Sequence, residues 1–327
     1  MKLLFFTDTH IRMSKPRNRL DDFYETTLNK LEEIKNYANE NKIDYVLHGG
    51  DLFDRPDSAI KPTSEVGKIL SSFNMPIYIV AGNHDIFGYN TKTLNRTMLG
   101  LLDNFHVLNI IPEDGILLNS DEVSILVLGK DYSSDIDLNK ENYIIKKSNL
   151  KYDADIVINI VHGFLTDRPF LKQVPHVLIG EITDTEADIT LAGHYHTGFK
   201  TQYIDGKFFS NPGSMVRISN SLGEIKRKPK FLELNITKDN IVIKDVYLKS
   251  AKDGEEVLDR KALTESHYKD ERLTIFSNSI DQNIDLELLN LDTILNDISK
   301  SENFDQDILK EAKLRLQYAK EIVNDYD

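Results

Sequence analysis

No cysteine occurs among the 327 residues. That excludes thiolate metal sites, catalytic thiols and disulfides, and it suits a reducing compartment, so a cytoplasmic location is expected, the host's cytoplasm if the chain is viral. Long apolar runs are missing too. The opening MKLLFF is too short for a secretory leader, and no segment approaches membrane-spanning length, so no membrane partner is expected. Positive charge is scarce: 40 Lys+Arg against 53 Asp+Glu leave a formal net charge of −13, which at first sight opposes a nucleic-acid partner. The deficit is uneven, however. Residues 251–327 hold 19 acidic and 10 basic side chains, a net of −9, which leaves −4 for the first 250 residues. There is no internal repeat and no low-complexity tract. With 40% hydrophobic and 28% charged residues, the composition is that of an ordinary globular chain, long enough for one large domain with an appendage or for two modest ones.

What the chain does have is a regular alternation. LLFF reads as a short buried strand, and Tyr24, Leu28, Leu31, Ile34 and Ala38 then recur at helical spacing. DYVLHGG is a second strand, followed by a helix around 62–73, the strand IYIVAGN and a helix around 93–103. SILVLG, DIVINIVHG and DITLAGHYH come later. Such continuous apolar runs suit strands covered on both faces, so the expected fold is α/β and layered, central sheets flanked by helices, with working residues just past the strand ends. FLELNITKDNIVIKDVYL predicts a hairpin turning at Asp239-Asn240. The composition turns polar and acidic around 249–259, giving domains 1–250 and 251–327. The second is expected to be a small α+β cap, with the strand RLTIF and two helical patterns, 288–298 and 309–322. Those helices either pack on their own domain or dock on a partner.

The strand ends carry the chemistry. FTDTH supplies Asp8 and His10, HGGDLFD supplies Asp51, AGNHD supplies Asn83 and His84, NIVHG supplies His162, and LAGHYH supplies His194 and His196. Alone, a histidine at a strand end is more often a hydrogen-bonded structural residue than a ligand. Together, so many buried ionisable groups would be costly without cations. Residues i and i+2 of a strand point to one side, so each spaced pair is expected to reach a common object. Carboxylate, imidazole and amide oxygen suit manganese, iron or zinc, and seven such groups fit two ions sharing a carboxylate, ~3.5–4 Å apart.

The ordered set D-x-H, G-D-x-x-D, G-N-H-D, H-G and G-H-x-H, spanning residues 8–196, resembles the calcineurin-like metallophosphoesterase superfamily. The resemblance implies the layered metallophosphoesterase fold. It also implies one metal held by Asp8, His10, Asp51 and His196, and a second by Asp51, Asn83, His162 and His194. His84 would face the scissile phosphate and help protonate the leaving oxygen, with Asp85 as the partner orienting it. The implied reaction is in-line attack on phosphorus by a water whose pKa the ions lower.

Leu52-Phe53 within HGGDLFD and the segment SNPGSMVRIS, with Pro212-Gly213-Ser214 and Arg217, resemble the SbcD-type nucleases. This finer resemblance implies cleavage of DNA ends, manganese as the preferred ion (with Mg2+, Fe2+ or Zn2+ as alternatives), a homodimer, and a coiled-coil ATPase of the SbcC type gripped by the C-terminal helices. Arg12, Lys15, Arg17 and Arg19 beside the first metal motif, and Arg217, then form the expected DNA-backbone patch. An alternative stays open. GDLFDR also resembles the G-D-x-x-D-R segment of the protein serine/threonine phosphatases, where the arginine, here Arg55, binds phosphate. A phosphomonoesterase is therefore the second reading, and a DNA-end scaffold with vestigial chemistry the third. Ser214 is read as part of a tight turn, and His48, His106, His176 and His267 as structural.

Overall fold

The computed structural model describes residues 1–171 and 173–259. The expected RLTIF strand, the helical patterns of 288–298 and 309–322, and His267 lie outside the described residues. Strands β1 (Lys2–Phe6), β2 (Tyr45–His48), β3 (Ile77–Ile79) and β4 (Asn109–Ile110) are interleaved with helices α1 (Phe23–Glu40), α2 (Ile60–Leu70) and α3 (Met98–Asn104). β5 (Ile116–Asn119), β6 (Ser124–Lys130), β7 (Ile156–Val161) and the short pair β8 (Leu165–Thr166) and β9 (Val177–Leu178) come next. β10 (Ile189–Ala192), β11 (Phe199–Ile204) and β12 (Lys207–Asn211) precede the hairpin β13 (Lys230–Ile236) and β14 (Ile241–Tyr247).

These form two six-stranded sheets, ordered β14-β13-β1-β2-β3-β4 and β11-β12-β10-β7-β6-β5. β1 through β4 run parallel, as do β6, β7, β10 and β12, while the outer pairs are antiparallel. The pleat of β1 explains the layering. Leu4 and Phe6 pack with Phe23, Leu31 and Ile34 of α1, whereas Leu3 and Phe5 pack with Ile158, Ile160, Ile189 and Leu191 of the other sheet. An apolar residue at every position from Leu3 to Phe6 is therefore required, since one set seals the helix face and the other the sheet-on-sheet face. Each fully buried Leu, Ile or Phe contributes about 1.5–3 kcal/mol. Beyond the hairpin, whose turn closes with Thr237 N–H donating to Asn240 O, Leu248 and Ala251 also lie in the helix-side core.

One expected helix is divided. Residues 91–96 form a 3₁₀ segment and α3 starts only at Met98. Thr97 between them is extended, and its Oγ1 accepts the Gly100 N–H, so the threonine caps a new helix instead of continuing the old one.

Candidate metal centre

Because β1, β2 and β3 are parallel neighbours, and β7 and β10 are too, their C-terminal ends gather at one edge of the facing sheets. The β1–β2 ladder continues past the strands, with the N–H groups of Asp8, His10 and Ile11 donating to the carbonyls of Gly50, Asp51 and Leu52. The chain there is sharply bent. Asp8, His10, Asp51 and His194 have φ of 52°, 44°, 55° and 68°, the left-handed region that non-glycine residues avoid. At about 1–2 kcal/mol each, this strain persists only because the surroundings over-determine it. It also corrects the simple pleat expectation. β10 ends at Ala192, and the left-handed turn at His194 sends His194 and His196 to different halves of the centre.

In the first half, His10 Nε2 and His196 Nε2 face each other at 3.0 Å, with Asp8 Oδ1 at 3.7 Å and 3.5 Å from them. In the second, His162 Nε2 lies 3.2 Å from Asn83 Oδ1 and 3.3 Å from Asp51 Oδ2, with His194 in the same cluster. Asp51 Oδ2 joins the halves, since it is also 3.6 Å from His10 Nε2. This oxygen is buried and has no hydrogen-bond donor, a costly state for a carboxylate unless a cation is its intended partner. Ligand atoms held at ~2.1 Å around one ion lie roughly 3.0–3.5 Å apart. The observed separations of 3.0–3.7 Å lie in or within about 0.2 Å of that range, so the residues fit a dinuclear divalent centre.

Several of the ligands are held from behind. His162 Nδ1–H donates to Gly49 O at 2.7 Å, which turns Nε2 toward the cluster. The Asp8 carboxylate accepts from Thr7 Oγ1 at 2.7 Å and from the His194 N–H. Ser214 Oγ donates to Asp8 O and its N–H to His196 O, after a turn at Gly213 with φ 80°. The P-G-S segment is thus a brace between two ligand loops, and Ser214 is a turn residue as expected. His48 is structural as well, its ring bonded to Thr9 Oγ1 and to the Gly50 N–H.

The charges couple across the cluster. Burial alone would lower His10, but the carboxylates of Asp54, Asp8 and Asp51 raise it to about 10. Burial likewise opposes His162, and Asp51, Asp8 and the Gly49 carbonyl carry it to about 9. Asp8 and Asp51 are pushed up by burial, yet the surrounding imidazoles hold both well below the usual carboxylate range. His194, desolvated and set beside His162, is lowered to about 3 and so presents a neutral lone pair.

His84 sits beside the cluster, its ring edge-on to His10 at 4.8 Å between centroids. Here the structure corrects an expectation. The His84 ring is oriented by the Asp54 carbonyl, which accepts from Nδ1 at 2.8 Å, and not by Asp85. Asp85 is buried, and its carboxylate accepts the N–H groups of Asp51, Gly82, Phe53 and Leu52 at 2.8, 3.0, 3.2 and 3.4 Å. It therefore shapes the Asp51 loop. Burial first, then the Asp51 charge, pushes it up to about 7. Thr7 and Asp54 were not legible as site residues, because one acts through a hydroxyl and the other partly through its backbone.

The basic residues divide. Lys15 and Arg17 are exposed, and Arg12 pairs with Asp54 at 2.9 Å. Arg19 and Arg217 are corrected. Both are buried, Arg19 clasping Asp21 and donating to Arg217 O, and Arg217 donating to the carbonyls of Lys252 and Arg227. Their guanidiniums stitch distant segments together and present no face to a ligand.

The calcineurin-like phosphoesterase description matches residues 1–198, more than half of the chain and the whole ligand set. The chain belongs to the calcineurin-like phosphoesterase family. Within it, the chain is similar to the DNA double-strand break repair protein Mre11 of Methanococcus maripaludis, 26% identical over 286 residues that cover 82% of this chain and 72% of that one. It is also similar to Mre11 of Thermoplasma acidophilum, 25% identical over 335 residues, 95% of this chain and 83% of that one. A dimetal phosphatase from Danio rerio is a structural neighbour with a TM-score of 0.47 and 12% identity, over 79% of this chain and 98% of that one.

Proposed function

We propose that this chain is a two-metal phosphodiesterase that cleaves DNA ends, the nuclease subunit of a recombination and repair complex of the SbcCD kind. The observation that carries the reading is the similarity to two Mre11 proteins along 82% and 95% of the chain, in a protein whose ligand set is intact. By the same resemblance it prefers manganese, pairs with a second copy of itself, and binds a coiled-coil ATPase through residues within 251–327.

When bound, two divalent ions supply a lowered water pKa and positive charge against the phosphoryl oxygens. Asp51 spans both halves and fixes their spacing, while Asp85 holds the Asp51 loop through four backbone N–H groups. The His84 ring donates Nδ1–H to Asp54 O and turns Nε2 toward a substrate oxygen; as the doubly protonated imidazolium it stabilises developing charge there and gives its Nε2 proton to the leaving oxygen, ending as the Nδ1–H imidazole. The His84 N–H also donates to Asp51 Oδ1 at 2.8 Å, so acid and bridge move as one unit.

The phosphomonoesterase reading rests on Arg55. That side chain is 73% exposed and its guanidinium is bonded to Asp57, the arrangement of a solvated surface pair. The experiment that separates the readings is turnover of bis-p-nitrophenyl phosphate against p-nitrophenyl phosphate with manganese, beside linear single- and double-stranded DNA. Diester and DNA cleavage support the nuclease; turnover of the monoester alone would overturn it.

A further inference from the structure

An aromatic pair flanks the second half of the centre and has no role in holding a ligand. The Tyr132 ring lies 5.3 Å from that of His194 and 6.2 Å from that of His162, centroid to centroid. Its backbone is fixed to the loop that carries Asn83, since the Tyr132 N–H donates to Ala81 O at 2.9 Å and Asp131 accepts the Ala81 N–H at 2.7 Å. Over Tyr132, at 5.4 Å, lies Tyr89, whose side chain is 55% exposed.

Tyr89 is held there at a cost. It has φ 57°, directly after Gly88 with φ 58°, and a bulky residue in that region is an outlier. A Cβ built on Gly88 meets nothing within 4 Å, so no close approach of another segment requires the glycine there. The turn is instead braced from outside, by Asn90 N–H donating to Phe87 O, Thr93 Oγ1 accepting the Phe87 N–H, and Arg96 stacked 5.5 Å over the Phe87 ring. Strain that is maintained so close to a reacting centre marks a functional position.

We propose that Tyr89 and Tyr132 form a stacking platform for the nucleobase adjoining the scissile phosphate, so that the enzyme favours strands whose end base is unpaired. This rests on the nuclease reading. In a nucleotide the base sits one sugar away from its phosphate, so a phosphate at the ligand cluster sets its base against rings one layer outside the ligands. Tyrosine suits that position because its ring stacks while its hydroxyl stays in water, and every base offers a π-face, so the platform is indifferent to sequence. A paired terminal base would have to leave its partner to reach it.

The test compares kcat/KM, with manganese, for a single-stranded oligonucleotide and for the same strand with its terminal residues made abasic at both ends. Stacking on one aromatic ring predicts that Tyr89→Ala lowers kcat/KM for the base-bearing strand by roughly 5- to 150-fold, down to that of the abasic strand, mostly through KM. Tyr89→Phe should restore the preference. An equal loss on both strands, or no loss on the base-bearing one, would overturn the platform while leaving the nuclease intact. Turnover of p-nitrophenyl phosphate with neither strand cut by the wild type would overturn the nuclease reading, and the platform with it.

Discussion

A single methyl group added at Gly82 should empty the centre without replacing a ligand. A Cβ built there lies 2.0 Å from Asp51 Oδ1 and 2.5 Å from Asp51 N, against an ordinary contact of 3.4–4 Å. In Gly82→Ala the Asp51 loop must therefore recede by more than about 1 Å, because the van der Waals wall admits no smaller shift. Asp51 Oδ2 is the atom that lies 3.3 Å from His162 and 3.6 Å from His10, so both halves lose their common ligand at once. Metal affinity should fall at least about 100-fold, the upper range for disturbing a ligand's support. Stability should fall too. Overpacking costs about 1–3 kcal/mol, and weakening one charged hydrogen bond, such as His84 N–H to Asp51 Oδ1, about 1.5–3 kcal/mol. The sum of about 2.5–6 kcal/mol is smaller than all but the low end of a typical total of about 5–15 kcal/mol, and it lowers Tm by roughly 5–24 °C. The assay is metal stoichiometry after dialysis, read beside thermal unfolding by circular dichroism. Gly180→Ala is the control, since nothing lies within 4 Å of its added Cβ. Two ions retained at wild-type affinity in folded Gly82→Ala would refute the assignment of Asp51 as the bridge.

Further outcomes follow from the same geometry. In the metal-free protein His10 and His162 hold protons up to about 10 and 9, so at pH 7.5 loading the centre should release about two protons per chain, read by calorimetry in buffers of differing ionisation enthalpy. Both values lie above the unfolded 6.5, so the stability these histidines give the metal-free protein is full below pH 6.5 and is lost as pH rises through 9 to 10; a melting temperature flat over that window would contradict the assignment. Ser214→Ala removes the hydroxyl bonded to Asp8 O, and should weaken metal binding about 10-fold while kcat under saturating metal stays within about 10-fold; a loss near the ~10⁶ seen when a true nucleophile is removed would make Ser214 a nucleophile. Replacing the exposed Lys15 and Arg17 together by alanine should reduce the salt slope of DNA binding by about two, whereas Arg19→Ala, which strips the half-buried Asp21 of its cation, should cost about 1.5–3 kcal/mol of stability and leave that slope alone.

The strands and ligands were legible because each is local. A run such as IVINIV can only be a strand covered on both faces, and the D-x-H, G-N-H-D and G-H-x-H motifs sit within a few residues of the apolar runs that place them. What escaped depends on partners far away or on backbone atoms. Arg19 looks like part of a basic loop until one of its N–H groups is found donating to Arg217 O, 198 residues on. Asp85 beside His84 invites a pairing, but the carboxylate turns to four N–H groups while a carbonyl takes the imidazole, and carbonyls carry no residue signature. The left-handed φ of Asp8, His10, Asp51 and His194 is equally invisible, although it decides which half of the centre each ligand enters. More than one central sheet was expected, but which strand joins which sheet was not legible, since a two-residue strand such as β4 leaves no periodic trace.

The measurement that bears most directly on the central claim is cleavage of end-labelled linear DNA by the purified protein, with manganese, with chelator, and with His84→Ala as the blank. The account predicts shortening of the labelled strand that requires manganese, disappears on chelation, and is lost in a His84→Ala protein that still binds two ions. Intact DNA under all three conditions, from a protein that holds two ions and hydrolyses p-nitrophenyl phosphate, would contradict it.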